Sequence, residues 1–210
     1  MSDSLRHILF IMAHKVPAIE ERLYQLVPWI YRCDRRYFEI LLTGHHVGST
    51  LARWMKRADA EIALSRTRLL IADDRVAGGF CAMAAREVVP RREADILDLI
   101  HHSDDPRSPE LRARIKDLIP LFGPLKRRDL YISKLGLSPD IASQKHALAE
   151  ALLHECVGYA MGQGADRLRI DVDETDQFVC DLLNDFDFKP IGRRRAQVSE
   201  ITYLNLARPL

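Results

Sequence analysis

The spacing of apolar residues changes several times along the chain, and each change marks an element. Over 129–137 (DLYISKLGL) the Tyr, Ile and Leu content predicts a strand, which Ser138-Pro139-Asp140 ends. From about Ser143 to Met161 the residues Leu148, Leu152, Cys156 and Ala160 recur every four positions, with Ala151, Val157 and Met161 beside them. That is one apolar face of a helix, and Gly162 and Gly164 stop it. Next, Leu168, Ile170 and Val172 alternate with Arg169, Asp171 and Asp173, the period of a strand with one buried face. Thr175 predicts the N-cap of a last helix running to about Phe186.

The first half of the chain reads in the same way. Ile8 to Ala13 is a short apolar strand. After Pro17 the pattern turns helical through Ile19, Leu23, Leu26, Val27, Ile30 and Tyr31, extending to Phe38, Leu41 and Leu42. Gly44 and Gly48 bracket His45-His46, and Ser49-Thr50 predict the cap of a helix to about Ala63. Arg68–Ala72 and Val76–Met83 form a hairpin through the acidic turn Asp73-Asp74-Arg75. Residues 88–127 carry two more helical patterns, near Ala94–His101 and Pro109–Leu121, separated by Ser103-Asp104-Asp105-Pro106.

The run from Asp129 to Phe188 resembles the acyl-CoA-binding half of the GNAT superfamily of N-acyltransferases. That signature is a strand, a turn with Arg or Gln-x-x-Gly-x-Gly or Ala, a helix, an L-x-V strand, an Asn and a Tyr. Here the turn is Gln144-Lys145-His146-Ala147-Leu148-Ala149 and the second strand holds Ile170-Asp171-Val172. Asp176 stands where Asn is usual, Leu183 in place of the Tyr, and Asp187-Phe188 in place of Gly-Phe. The likeness is one of spacing more than identity. Earlier, the strand, helical pair and hairpin with Val76-Ala77-Gly78 resemble the superfamily's N-terminal half. The resemblance implies an α/β (α+β) fold with a mixed, mostly antiparallel sheet of six to seven strands flanked by helices. Residues 1–210 would form one domain, with a helical insertion at about 88–127 between the third and fourth strands, beside the acceptor pocket. The strands at 130–137 and 167–173 would be parallel neighbours joined by the crossover helix.

The resemblance also implies a chemistry, with acetyl-CoA or another acyl-CoA as co-substrate. Its binding residues would be Leu135, Gly136, Leu137, Gln144, Lys145, His146, Ala147, Leu148, Ala149 and Asp176. A turn entering a helix offers free N–H groups and the positive dipole end to the pyrophosphate. The strand edge at Leu135–Leu137 would take the pantetheine arm like an added strand, Gly136 permitting close approach. Ala147 adds a methyl where the family has Gly. Leu183 cannot donate a proton, so Cys180, three residues earlier on nearly the same face, is the candidate substitute acid, against a buried apolar thiol and a thiolate that leaves without an acid. Tyr131 matches the strand position where histone-type members carry a Glu. Asp173 with Asp171, and Glu87, are the other candidate bases, against solvated surface carboxylates.

Composition narrows the partners. Lys and Arg total 31 against 30 Asp and Glu, so no bulk field draws nucleic acid or an anionic membrane. No apolar run approaches the roughly 20 residues of a spanning helix. Four scattered cysteines without a CxxC suit a reduced, cytoplasmic setting. His45-His46 and His101-His102 lack the i, i+4 spacing of helical metal ligands, so no metal is expected. Lys126-Arg127-Arg128 and Arg193-Arg194-Arg195 are candidates for the coenzyme's ribose phosphate, against solvated turns. Three readings follow. The first is an N-acyltransferase acting on the amine of a small molecule or peptide, possible as a homodimer. The second is a catalytically degenerate GNAT fold that binds an acyl-CoA or a protein partner without turnover. The third is an unrelated parallel α/β nucleotide-binding domain, which lacks its glycine fingerprint here.

Overall fold

The structure, a computed structural model, describes residues 8–16, 19, 23–138 and 145–210. Seven strands among these residues form one sheet: β1 (Ile8–Met12), β2 (Thr67–Ala72), β3 (Arg75–Ala84), β4 (Asp129–Leu137), β5 (Arg167–Asp173), β6 (Lys189–Arg195) and β7 (Thr202–Pro209). Their order is β1-β2-β3-β4-β5-β7-β6. Only β4 and β5 pair in parallel; every other neighbour is antiparallel. This is the mixed sheet expected from the sequence, and it rules out a parallel doubly wound domain. The β2–β3 hairpin closes on Asp73 and Asp74, both at positive φ (48° and 60°), the two-residue geometry whose twist matches the strands and which Asp tolerates.

Among the described residues five helices cover one face: α1 (Leu23–Cys33), α2 (Arg35–Leu41), α3 (Val47–Lys56), α4 (Ala85–His101) and α5 (Pro109–Leu118). Their apolar sides meet in a core that includes Leu26, Trp29, Phe38, Leu51, Trp54, Leu99 and Leu111. On the other face α6 (Lys145–Gly162) and α7 (Gln177–Asp185) bury Leu148, Leu152, Cys156, Ala160 and Leu183 against Leu130, Ile132, Leu168 and Ile170. Each fully buried Leu of this kind is worth roughly 1.5–3 kcal/mol. The four-residue repeat of α6 is therefore its buried stripe, although Met161 at its edge is 64% exposed. Gly164, at φ 66°, closes that helix in the left-handed conformation.

Several boundaries differ from those read in the sequence. The long helical run after Pro17 is two helices, broken at Asp34, which precedes α2. The next helix ends at Lys56, short of Ala63, and its cap position is His46 rather than Ser49 or Thr50. In the insertion α4 starts at Ala85 and passes through Pro90, nine residues before the expected start. Pro90 lies in the second turn, so the one bond it forfeits is to the Arg86 carbonyl at the start of the helix. Asp176, not Thr175, caps α7: its carboxylate accepts from the Val179 N–H at 3.2 Å.

Candidate functional site

The site begins with one extra residue. Cys81 of β3 pairs with Lys134, but the next residue, Ala82, pairs with Ile132, so Ser133 is a β-bulge. The bulge turns Tyr131 and Lys134 to the same face of the sheet, while Ile132 and Leu135 pack on the α6 side. It also marks where β4 leaves β5. Their pairing runs from Asp129↔Arg167 to Ile132↔Ile170 and stops there. Beyond it, β5 continues with β7 and β4 with β3, so the sheet opens into a cleft.

Two adjoining cavities occupy this cleft. One, of about 260 Å³, is lined by Leu135–Leu137 of β4 and Ser138 after it, Trp29 and Arg32 of α1, Lys145 and Ala149 of α6, and Asp176, Val179 and Leu182. The other, of about 320 Å³, lies between Ser133–Leu135 and Ile170–Asp173, under Arg32–Arg36. Gly136 holds α1 close: a Cβ there would stand 2.5 Å from the Cys33 sulfur. Burial pushes that thiol well above its ordinary pKa. Arg32 and Lys145 form no ion pair among the described residues; the Lys145 ammonium lies 3.4 Å from the centroid of the Phe178 ring.

Sequence-derived candidates fall in and around this cleft. Leu135, Gly136, Leu137, Lys145, Ala149 and Asp176 line it. Leu148 is fully buried in the core below. His146 and Ala147 sit exposed on the first turn of α6, His146 Nε2 lying 3.2 Å from Glu150. Gln144 lies outside the described residues. Asp173 accepts from the Thr175 N–H at 3.0 Å and hydroxyl at 2.8 Å and pairs with Arg36 at 3.1 Å. The Cys180 thiol points at the Asp173 carbonyl, 3.9 Å away, and its burial and carboxylate neighbours raise its pKa. Leu183 is buried in the α6 core and does not face the cleft; Val179 and Leu182 do. Glu87 belongs to α4, not to a hairpin end, and accepts from Arg91 at 2.8 Å. Arg128, Arg193 and Arg195 of the two basic runs pair with Asp166, Glu174 and Glu200.

The face that opens towards α1, α2 and α4 carries a buried polar layer. Tyr131, 1% exposed, donates to Asp171 Oδ2 at 3.1 Å and accepts from Arg92 Nη2 at 2.6 Å. Asp171 Oδ1 accepts from Asn205 at 2.8 Å, and Arg169 Nη2 lies 3.6 Å away. Lys134 pairs with Asp34 at 2.8 Å, and the Tyr203 hydroxyl donates to the same carboxylate. Burial raises the Asp171 pKa above the ordinary aspartate value, and it raises that of Tyr131 as well, which removes Tyr131 as a base near neutrality. Burial alone would lower the Lys134 pKa, but the Asp34 and Glu61 carboxylates together outweigh it and hold the ammonium charged.

The alternation of residues 168–173 predicts a solvated face for Arg169 and Asp171, and this is corrected: Arg169 is 1% and Asp171 9% exposed. Helices and the 119–125 segment cover that face. Leu121 and Pro124 accept from Asn205 and Arg169, at 3.1 and 2.8 Å. Arg92, Asp34, Lys134 and Arg32 were not singled out in the sequence. Lys134 is the one visible signal, a lysine in a strand between Ile132 and Leu135.

No family model matches the sequence, and no curated protein matches it. Solved structures do. An acetyltransferase superposes with a TM-score of 0.67 at 14% identity, covering 96% of this chain and 98% of that one. An N-acetyltransferase from Staphylococcus aureus Mu50 gives 0.66 at 14%, covering 95% and 100%. The polyamine N-acetyltransferase of Drosophila melanogaster gives 0.55 at 10%, covering 97% and 100%. With the cleft between β4 and β5 and near-complete coverage on both sides, this chain has the fold of these acetyltransferases, the GNAT-like mixed sheet that the sequence resemblance implies.

Proposed function

We propose that this protein is an acyl-CoA-dependent N-acyltransferase that uses acetyl-CoA and an amine of a small molecule or peptide. The observation that carries the reading is the parting of β4 and β5 after Ile132 and Ile170, which leaves a strand edge open beside the N-terminal turns of α6 and α7. An extended amide-bearing arm adds to such an edge by main-chain hydrogen bonds. Lys145 and Arg32 supply positive charge along the cleft, and the first turn of α6 supplies free N–H groups for a phosphate. Acyl-CoA brings a thioester, whose acyl carbon an amine can attack once it is neutral.

The chain's part is to take that amine's proton and to hold the reactants. Asp171 is the group placed to do so. It lines the cleft where the strands part, is buried, and has a raised pKa, the property of a base matched to work nearer neutrality. Tyr131 and Asn205 fix its carboxylate by hydrogen bonds. Tyr131 then positions the base rather than acting as one. Asp173, held by Thr175 and Arg36, shapes the cleft mouth. Neither Val179 nor Leu182 can donate a proton to the departing thiolate, which leaves unaided when the amine is neutral.

Release of free thiol from acetyl-CoA across an amine panel, with the acylated product weighed by mass spectrometry, tests this reading. Turnover with one amine class is the expected result. Acetyl-CoA binding without thiol release from any amine would instead select the non-catalytic alternative.

A further inference from the structure

The insertion between β3 and β4 builds a chamber of its own. Its helices α4 and α5, with the 119–125 segment, enclose about 600 Å³, within the usual range of small-molecule sites. Val88, Ile96, Ile115 and Leu118 supply its apolar wall, and Phe122 its aromatic one. Val89 and Ile119 carry the apolar surface outwards to the rim, 62% and 57% exposed. Chamber and cleft are separate places. Neither Tyr131 nor Asp171 lines the chamber, and the hydrogen bond from Arg92 to Tyr131, at 2.6 Å, stands between the two.

The inner polar groups of the chamber are donors. Arg92 lines it, stacked 3.5 Å from the centroid of the Phe122 ring, with its side chain 15% exposed. Nε and Nη2 reach Glu61 at 3.2 and 3.3 Å, and Nη2 also donates to Tyr131. These bonds leave Nη1 without a partner among the described residues. Tyr37 of α2, half-buried, lies beside it: its ring meets Phe122 edge-on, with 5.6 Å between centroids, and the Arg92 charge acts on its phenol. Burial and the Glu61 carboxylate raise the phenol's pKa, so the hydroxyl keeps its proton. That hydroxyl, too, has no hydrogen-bond partner among the described residues.

The charge and shape of the lining select an occupant. Arg194 of β6 is exposed and forms no ion pair among the described residues, and Glu93, also exposed, is the single carboxylate of the lining. Two guanidiniums against one carboxylate disfavour a cation. A carboxylate has two oxygens that accept, and Nη1 and the Tyr37 hydroxyl are two donors without an acceptor; hydrogen bonds to an ionised acceptor are the stronger kind. A phosphate dianion would bring a second charge and a third oxygen, with Glu93 in the lining and Glu61 behind Arg92 to repel it. The apolar wall takes the rest of the ligand out of water.

We propose that this chamber is a second binding site, for a monocarboxylate with an aliphatic or aromatic body, its carboxylate held by Arg92 Nη1 and the Tyr37 hydroxyl and its body against the insertion. The site stands on the chamber's own residues and does not depend on the acyltransferase reading of the cleft. Because the Arg92–Tyr131 bond separates the two, a carboxylate in the chamber and acetyl-CoA in the cleft do not exclude each other.

Octanoate and octylamine share a chain and differ in the charge of the head group, so calorimetric titration with each is the test. It is run on wild type, on Tyr37→Phe, which removes the hydroxyl and keeps the ring, and on Val89→Trp, which narrows the mouth from an exposed position. Wild type should bind octanoate at least tenfold more tightly than octylamine, and equally well with and without millimolar acetyl-CoA. Each variant should lose at least fivefold of the octanoate affinity. A preference below tenfold, no octanoate binding, displacement of octanoate by acetyl-CoA, or an affinity retained in either variant overturns the proposal. Failure of acetyl-CoA to bind strikes the acyltransferase reading alone, because octanoate binding is measured separately.

Discussion

Asp171 and Asp95 are both carboxylates pushed up by burial, and they make different predictions. Asp171→Asn keeps the shape and the Tyr131 hydrogen bond but removes the base. We expect kcat to fall by roughly 10²–10⁴, the usual worth of a positioned base, with the acetyl-CoA-induced rise in melting temperature unchanged. The acid limb of the wild-type kcat profile should lie above the ordinary aspartate range and vanish in the variant. Asp95 is 6% exposed on α4, accepts from the Glu61 N–H at 3.0 Å and is pushed up to about 8, chiefly by desolvation. Its folded pKa is raised, so it binds more protons in the native than in the unfolded state. The associated stability is full below the unfolded aspartate pKa of about 4 and is lost as pH rises through about 8. Asp95→Asn should therefore unfold like wild type near pH 4 and outlast it at pH 9, by about 1–3 kcal/mol on the scale of a poorly paired buried polar group. Denaturant melts at the two pH values check this.

At the scale of elements, two junctions hold the cleft open. At the first, α1 crosses β4 over Gly136, whose missing Cβ admits the Cys33 sulfur. Gly136→Ala overpacks that crossing, and a loss of about 1–3 kcal/mol is expected. Acetyl-CoA should also bind more weakly, because α1 carries Trp29 and Arg32 into the cleft. Guanidinium melts and calorimetry read the two effects separately, and an unchanged affinity would remove α1 from the binding site. The second junction is the Asp176 cap of α7. Asp176→Ala should cost about 1 kcal/mol, whereas Asp176→Asn, an equally good cap, should cost little. Thermal melts of the pair distinguish a capping role from a charge at the cleft. Both junctions also show what sequence reasoning sees of an element. A glycine in a strand and a carboxylate before a helix are visible in the sequence. That Gly136 faces a helix, and that Asp176 rather than Thr175 takes the cap, depends on neighbours more than one hundred residues away or on a single dihedral.

For the whole molecule, binding of acetyl-CoA to the native state alone should raise the melting temperature with the logarithm of ligand concentration, adding about 2.7 kcal/mol at a hundredfold excess over Kd. A melting temperature indifferent to millimolar acetyl-CoA would count against the cleft as its site. The order of elements from β4 to α7 was determined locally. Leu148, Leu152, Cys156 and Ala160 bury one stripe wherever the helix packs, and a strand–helix–strand crossover makes parallel neighbours. The inner faces of the sheet were legible for the same reason. The polar layer was not. Arg169 and Asp171 have the period of a solvated face, and burial came from the insertion laid across them, with Leu121 and Pro124 answering their network by backbone carbonyls. Alternation records which residues share a face, not what covers that face. The same limit hid the cavity of about 600 Å³ beside the insertion, because Tyr37, Val88, Ile115 and Arg194, which line it, are remote in sequence and meet only when the sheet, α2 and the insertion have packed. The sequence alone determined the elements from β4 to α7 and the parallel pairing that their crossover imposes, since propensity and periodicity act over neighbouring residues, whereas β6 and β7 carried no pattern that the sequence reading caught. The tertiary structure decided which charges are buried and where the cleft opens, since desolvation and a single β-bulge at Ser133 act through contacts between distant segments.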